Sequence, residues 1–202
     1  AVFLSDALPT GHEIGVQYGD VKPGSDIMIV GAGPVGMGVL LTSQFYSPAT
    51  ITVVDMDNNR LAKARDMGAT HTINPSEDDV AAKIAEITDG RGVDTAIEAV
   101  GLPATWQTCA DNVKEGGNIA VVGVHGKAVE FPLQQMWIKN LKITTGLVNA
   151  NTTGMLLKAV QNTDLPIKSL ATHHFTWDEL DKAWETFSNA CLLYTSPSPR
   201  DS

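Results

Sequence analysis

The stretch Asp26-Ile-Met-Ile-Val30-Gly31-Ala-Gly33-Pro34-Val35-Gly36-Met37 decides the fold of this chain. A short apolar run passes directly into Gly-x-Gly-x-x-Gly and then into a helical pattern over Met37–Phe45. In that context each glycine has a physical task. Gly31 permits the tight strand-to-helix turn, Gly33 lets the backbone approach a pyrophosphate, and Gly36 lets the helix pack close to the sheet. Pro34 suits the first helical turn, where its missing N–H costs nothing, and Val35 lies between it and the last glycine. The helix N-terminus, with free N–H groups and the positive end of the macrodipole, then favours an anion. The competing reading is three glycines that serve only a tight turn.

The second half of the signal is Asp55, which ends the run Ile51-Thr-Val-Val-Asp55. It stands about 20 residues beyond the turn, where a carboxylate accepts hydrogen bonds from the adenosine ribose hydroxyls. A 2′-phosphate held about 4 Å from that carboxylate would meet repulsion of roughly 4 kcal/mol at an effective dielectric of about 20. The next residue is Met56 and not an Arg that would welcome the phosphate. The cofactor read from these residues is NAD, not NADP. Arg60, one turn into the following helix, is placed to reach ribose or pyrophosphate, or else is a solvated surface charge.

Outward from this unit, short β-branched runs alternate with helical stretches. Strands are expected at Ile27–Val30, Ile51–Asp55, His71–Ile73, Thr95–Ala99, Ile119–Val124 and Ile143–Leu147. Helices are expected near 34–46, 58–67, 78–88, 103–113, 133–139, 153–162 and 177–188. The first two strands lack an alternating polar face, as a parallel sheet covered on both sides requires. Right-handed βαβ units in series give an α/β, Rossmann doubly wound parallel sheet of six strands, order 3-2-1-4-5-6. Gly24, Gly68, Gly90, Gly92, Gly101, Gly116 and Gly117 mark unit boundaries, where turns and helix C-caps take positive φ.

Bulk properties narrow the function classes. The chain has 202 residues, 43% hydrophobic and 18% charged, ordinary for a globular domain with a real core. A net charge of −9 argues against nucleic acid, whose phosphates need clustered Lys and Arg. There is no apolar run of about eighteen residues and no signal-peptide pattern, so no membrane is expected. Two cysteines, Cys109 and Cys191, form no CxxC pair and are too few for a disulfide scaffold. A cytoplasmic location is the default. The stretch Cys191–Asp201 shares no periodicity with what precedes it and resembles the one-frame translation of a transposase-type sequencing adapter. Residues 191–202 are therefore set apart as non-native; a natural Ser/Pro tail is the alternative.

Taken together, the residues resemble the zinc-dependent medium-chain alcohol dehydrogenases. The resemblance rests on Leu4-Ser-Asp6-Ala-Leu-Pro-Thr-Gly11, Val21-Lys-Pro-Gly24, Gly31–Gly36, the Asp55 strand end and Gly90-Arg-Gly-Val-Asp94. It also rests on Ile97-Glu-Ala-Val-Gly101, Gly116-Gly117 and Thr172-His173. It implies a remnant of a catalytic domain and interdomain helix over 1–22 and a dinucleotide-binding domain over 23–150. Residues 151–190 would return toward the catalytic domain, most of which would precede residue 1. It implies an enzyme moving hydride between a short-chain alcohol, or its carbonyl, and NAD, with catalytic zinc activating the alcohol. The chain alone would bind cofactor and carry no catalytic residue of its own. By the same resemblance Val100, Val122, Gly123 and Val124 line the nicotinamide pocket, and Gly146, Leu147 and Val148 flank the nicotinamide end. Asp6 is a zinc ligand; a helix N-cap is its alternative reading. A homodimer or homotetramer would form through the edge strand near 142–147.

Other residues invite assignments that do not follow. Gly11-His12-Glu13 looks like a zinc motif, but Gly15 comes one residue too early and the motif lies on the wrong side of Asp6. His12 and Glu13 are rejected as ligands and left as side chains that either could expose in the cleft. His125 has no carboxylate near it in sequence and reads as an ordinary loop histidine, as His173 and His174 read as turn or interface residues. A zinc-free quinone or enoyl reductase of the same superfamily, and more distantly an S-adenosylmethionine methyltransferase, are the rival readings.

Overall fold

The computed structural model describes residues 2–171 and 173–192. Residues 193–202, most of the stretch set apart above, lie outside the described residues. Six parallel strands form one sheet in the order β3-β2-β1-β4-β5-β6, as the alternation predicts. They are β1 (Asp26–Val30), β2 (Thr50–Val54), β3 (His71–Ile73), β4 (Val93–Glu98), β5 (Val113–Val121) and β6 (Lys142–Thr145). The helices are α1 (Ala7–Thr10), α2 (Pro34–Ser43), α3 (Asn58–Asp66), α4 (Val80–Ile87), α5 (Pro103–Asn112), α6 (Leu133–Met136), α7 (Thr153–Asn162) and α8 (Leu180–Leu192).

β1 shows why the central strands carry no polar face. Ile27 and Ile29 enter one core with Leu40, Leu41, Val53, Leu61 and Ile97, while Met28 and Val30 enter the opposite core with Ile84, Trp106 and Ile119. Helices α2 and α3 cover the first face, and α4 and α5 cover the second. Burying each Ile or Leu contributes about 1.5–3 kcal/mol, so both faces of β1 are apolar; in the strands beside it Thr52 and Thr95 are buried polar exceptions. The strand C-termini then converge on one rim of the sheet, which places Gly31, Asp55 and the end of β4 beside one another.

Three details depart from the sequence reading. β5 begins at Val113, not near Ile119, because Val113 already pairs with Val93; the register then shifts before Asn118 joins Thr95. An ion pair of Lys114 with Asp94 holds that irregular segment. Of the boundary glycines, all but Gly117 take positive φ; Gly117 is required by space, since a Cβ there would lie 2.7 Å from Val113 Cγ2 and 2.9 Å from Lys114 O. Finally, α1 continues as a π-helical segment over Gly11–Gln17. It lies hard against α2: a Cβ on Gly38 would stand 2.5 Å from Ala7 O, and one on Gly11 would stand 2.6 Å from Val39 N.

Candidate functional site

The glycine turn is built from backbone pressed on backbone. Gly31 has φ +105, and a Cβ there would lie 2.6 Å from Val100 Cγ2 and 3.1 Å from Ala99 O. The loops after β1 and β4 therefore touch. A Cβ on Gly36 would lie 1.9 Å from Gly31 O, so the first turn of α2 rests directly on the turn that precedes it. Gly33 is different. It is the extended N-cap residue of α2, makes no side-chain cap, and has nothing within 4 Å of its Cβ position. Pro34 opens the helix and is exposed, and Val35 is half-buried. The first-turn N–H groups thus have no intrahelical partner and no capping side chain, with open space at Gly33. That arrangement fits a phosphate group.

Asp55 sits just past β2 and is 5% exposed. Its Oδ2 accepts the Ala32 N–H at 2.7 Å, inside the glycine turn, and its Oδ1 accepts the Asp57 N–H at 2.9 Å. An ionised carboxylate has about four acceptor sites, and these two N–H groups fix its orientation at the mouth of the turn. Asp57 caps α3 by accepting the N–H groups of Asn59 at 2.8 Å and Arg60 at 3.4 Å. Arg60 itself lies with Nε 3.9 Å from Asp57 Oδ2. Asp57 is a residue the sequence reading passed over, although an acid before a helical run is a recognisable cap signal.

On the other side of the turn the organising group is Glu98, fully buried at the end of β4. Oε1 accepts the N–H of Val100 at 3.0 Å, the N–H of Gly101 at 2.8 Å and the Thr105 hydroxyl at 2.6 Å. Its Oε2 lies 3.2 Å from His125 Nε2. His125, which has no carboxylate near it in sequence, thus has one adjacent in space, 27 positions away. Val122 and Gly123 are half-buried beside Glu98, donating their N–H groups to its backbone carbonyl at 2.8 and 3.1 Å. Val124 is 66% exposed. Sequence reading quoted Glu98 inside a motif without seeing a task for it; an acid closing an apolar strand was the available signal.

His12 and Glu13 are not exposed in a cleft, contrary to expectation; both are buried, at 1% and 6% exposure. Glu13 accepts the N–H groups of Asn149, Ala150 and Thr152 and the Thr152 hydroxyl, at 2.8–3.1 Å. Burial pushes its carboxyl up, but these donors outweigh it and leave it below the usual glutamate value. It anchors the loop that leaves Gly146 and Leu147 exposed, where a Cβ on Gly146 would meet the Tyr18 ring at 2.9 Å. Gly146 thus lies close against Ile14 of the π-helical segment and the adjoining Tyr18, while Leu147 is 86% exposed. His12 packs beside Phe45 and Tyr46 with neither ring nitrogen hydrogen-bonded. Burial lowers its pKa, opposed by the neighbouring Glu13.

Asp6 stands at the N-cap position of α1 but caps no backbone N–H; it accepts the Thr10 hydroxyl at 2.9 Å. Among the described residues no group of three or more His, Cys, Asp or Glu side chains gathers to hold a metal ion. His173 stacks on Phe175. Nor is any described helix long and apolar enough to cross a membrane. An open groove of about 430 Å³ runs between Gln44–Phe45, Asp66–Gly68 and Thr163–Pro166, and none of the predicted site residues lines it.

With this geometry in place, likeness to known proteins becomes informative. Residues 34–162 match the family model described as zinc-binding dehydrogenase. The chain is 36% identical over 177 residues to a sorbitol dehydrogenase of Bacillus subtilis (strain 168), covering 85% of this chain and 50% of that protein. It superposes on a zinc-dependent alcohol dehydrogenase 2 from Streptococcus pneumonia, apo form, with a TM-score of 0.87 and 50% identity over 94% of this chain and 55% of that one. A putative zinc-binding dehydrogenase from Sinorhizobium meliloti 1021 bound to NADP aligns with a TM-score of 0.71 and 25% identity, over 77% of this chain and 46% of that one. The chain thus spans about half the length of the relatives it matches.

Proposed function

We propose, since this chain belongs to the zinc-binding dehydrogenase family, that it is the cofactor-holding part of an oxidoreductase moving hydride between an alcohol, or its carbonyl, and NAD. The observation that carries the choice of NAD is the buried Asp55 carboxylate. It holds the glycine turn through Ala32 and places a negative charge where the ribose hydroxyls would donate to it. A 2′-phosphate in the same place would face that charge, with exposed Met56 beside it and the Arg60 guanidinium directed to Asp57. The pyrophosphate rests on the N-terminus of α2, between Gly31, Gly33, Pro34, Val35 and Gly36. Val100, Val122, Gly123, Val124, Gly146 and Leu147 wall the nicotinamide half, and Arg60 closes the ribose side.

The nicotinamide supplies the hydride acceptor when bound. The chain's own residues hold the dinucleotide across the rim of the sheet, orient its two halves and exclude water from the β1–β4 crevice. Zinc would activate the alcohol in the intact enzyme. Asp6 is its candidate ligand here, and the full ligand set that zinc requires is not among the described residues. The 202-residue chain therefore binds cofactor and turns over no alcohol by itself. Residues 1–22 belong to the other domain and its connecting helix, 23–150 to the cofactor domain, and 151–190 to the return. The outer edge of β6 joins a second copy.

Calorimetric titration of the chain with NAD and NADP tests the reading. Saturable NAD binding tighter than NADP is the expected result. Tighter NADP overturns the cofactor choice, and alcohol oxidation by the chain alone overturns its inactivity.

A further inference from the structure

We propose that Glu98, with His125, is a positioning pair that fixes the far wall of the cofactor cleft and biases it toward the oxidised, cationic nicotinamide. The inference rests on the dinucleotide reading above. It begins with the topology. β2 and β4 lie on either side of β1, and a dinucleotide lies across the crevice at that switch point. With the adenosine ribose at Asp55, on the β2 side, the other half of the molecule must pass over the ends of β4 and β5.

Those ends are organised by one side chain. Glu98 binds the N–H groups of Val100 and Gly101 and the Thr105 hydroxyl through one oxygen and faces His125 with the other. Its backbone carbonyl accepts the N–H groups of Val122 and Gly123. The two loops are also in backbone contact. A Cβ on Gly123 would lie 2.3 Å from Gly101 N and 2.5 Å from Glu98 Oε2, and one on Gly101 would lie 2.2 Å from Val124 O. Loosening Glu98 therefore loosens both loops together.

The same group carries a charge. The two N–H groups and the Thr105 hydroxyl that bond Glu98 carry no charge, and its other oxygen faces the His125 ring, whose side chain is 19% exposed. A carboxylate at 0% exposure is weakly screened by solvent. Oxidation of the nicotinamide places a positive charge on the ring, whereas the reduced ring is neutral. A negative charge immediately behind the wall favours the oxidised ring and does little for the reduced one. A merely structural glutamate would support both forms alike.

Affinities of the chain for NAD⁺ and NADH, measured in parallel by calorimetry and NADH fluorescence, test the proposal in three variants. Glu98→Gln keeps the shape and removes the charge. His125→Arg leaves Glu98 in place and sets a permanent cation against it, from a side chain that already reaches solvent. His125→Gln removes the imidazole without adding charge. The ratio Kd(NADH)/Kd(NAD⁺) should fall about fivefold in the first two, the order of one charge interaction across partly screened protein. It should hold in His125→Gln, even where both affinities weaken together. An unchanged ratio in Glu98→Gln or in His125→Arg overturns the proposal; should Glu98→Gln fail to fold, His125→Arg decides. A wild-type chain that binds neither cofactor form overturns the dinucleotide reading itself, and this inference with it.

Discussion

The two sides of the sheet rim solve one problem by different means. On the β1–β3 side, Asp55 fastens the turn after β1 with a bond to Ala32, 23 positions away. On the β4–β6 side, Glu98 reaches His125 27 positions away, and Glu13 reaches the loop before α7 across 136 to 139 positions. Each clamp is a buried carboxylate that collects backbone N–H groups, because loops at strand ends expose donors that burial would otherwise leave unpaired. The difference lies in range. Asp55 and Glu98 each close a single βαβ unit, whereas Glu13 joins segments that only the completed fold brings together, so damage at the first two should stay local while damage at Glu13 should spread.

Gly36→Val gives the sharpest break. Its Cβ would fall 1.9 Å from Gly31 O, a backbone atom that cannot give way cheaply. The expected loss is about 3 kcal/mol or more, with cofactor binding abolished, read by thermal unfolding and calorimetry. Full NAD affinity in a folded Gly36→Val chain would sink the close-packed turn as the basis of the site. Asp55→Asn comes next. It removes the charge and leaves one acceptor oxygen for the two N–H groups of Ala32 and Asp57. Both affinities should therefore weaken while the preference for NAD over NADP drops by about a hundredfold, somewhat less than the bare Coulomb figure after solvent screening. If NADP is still refused, the form of the turn and not the charge sets the choice.

The same contrast explains what could be read in the sequence. The β1–β3 side was legible because Gly31–Gly36 and Asp55 sit within one βαβ unit, where spacing is a direct record of geometry. Strand order followed from the alternation alone, since right-handed crossovers leave few topologies. Illegible were Glu98, Glu13 and the π-helical segment. His125 looked partnerless because its carboxylate lies on another strand, and Glu13 looked like a motif fragment because its partners lie beyond β6. The start of β5 was misplaced because Lys114–Gly117 is irregular, with Val113 already paired ahead of it. Long-range hydrogen bonding has no fixed spacing and so leaves no pattern.

Glu13→Gln tests whether the long-range clamp matters as much as its counterpart. One amide oxygen remains as acceptor and the NH₂ group now faces donors, so about 2 kcal/mol should be lost. The pH dependence gives a second reading. The folded-state pKa of Glu13 is lowered from its ordinary 4.5. Its contribution is therefore complete above that value and is lost as pH falls through the lower, folded-state one. The stability difference between the wild-type chain and Glu13→Gln should shrink on acidification below about 4.5. A difference independent of pH there would mean that packing, not charge, anchors the 149–152 loop.

The smallest effect on the chain itself is expected at its outer border. Among the described residues β6 pairs only with β5, so its far edge offers N–H and C=O groups to a further strand, and Leu133, Trp137, Ile138 and Leu147 expose apolar surface on either side of it in sequence. Unprotected edges are templates for a further strand, which is the ground for proposing a second copy there. Thr145 is exposed at that edge. Thr145→Lys should cost the single chain less than about 0.5 kcal/mol while placing like charges face to face in a paired assembly. Sedimentation should then find wild-type dimers or tetramers and Thr145→Lys monomers at the same concentration. If the wild-type chain stays monomeric when concentrated, β6 is not the joining edge.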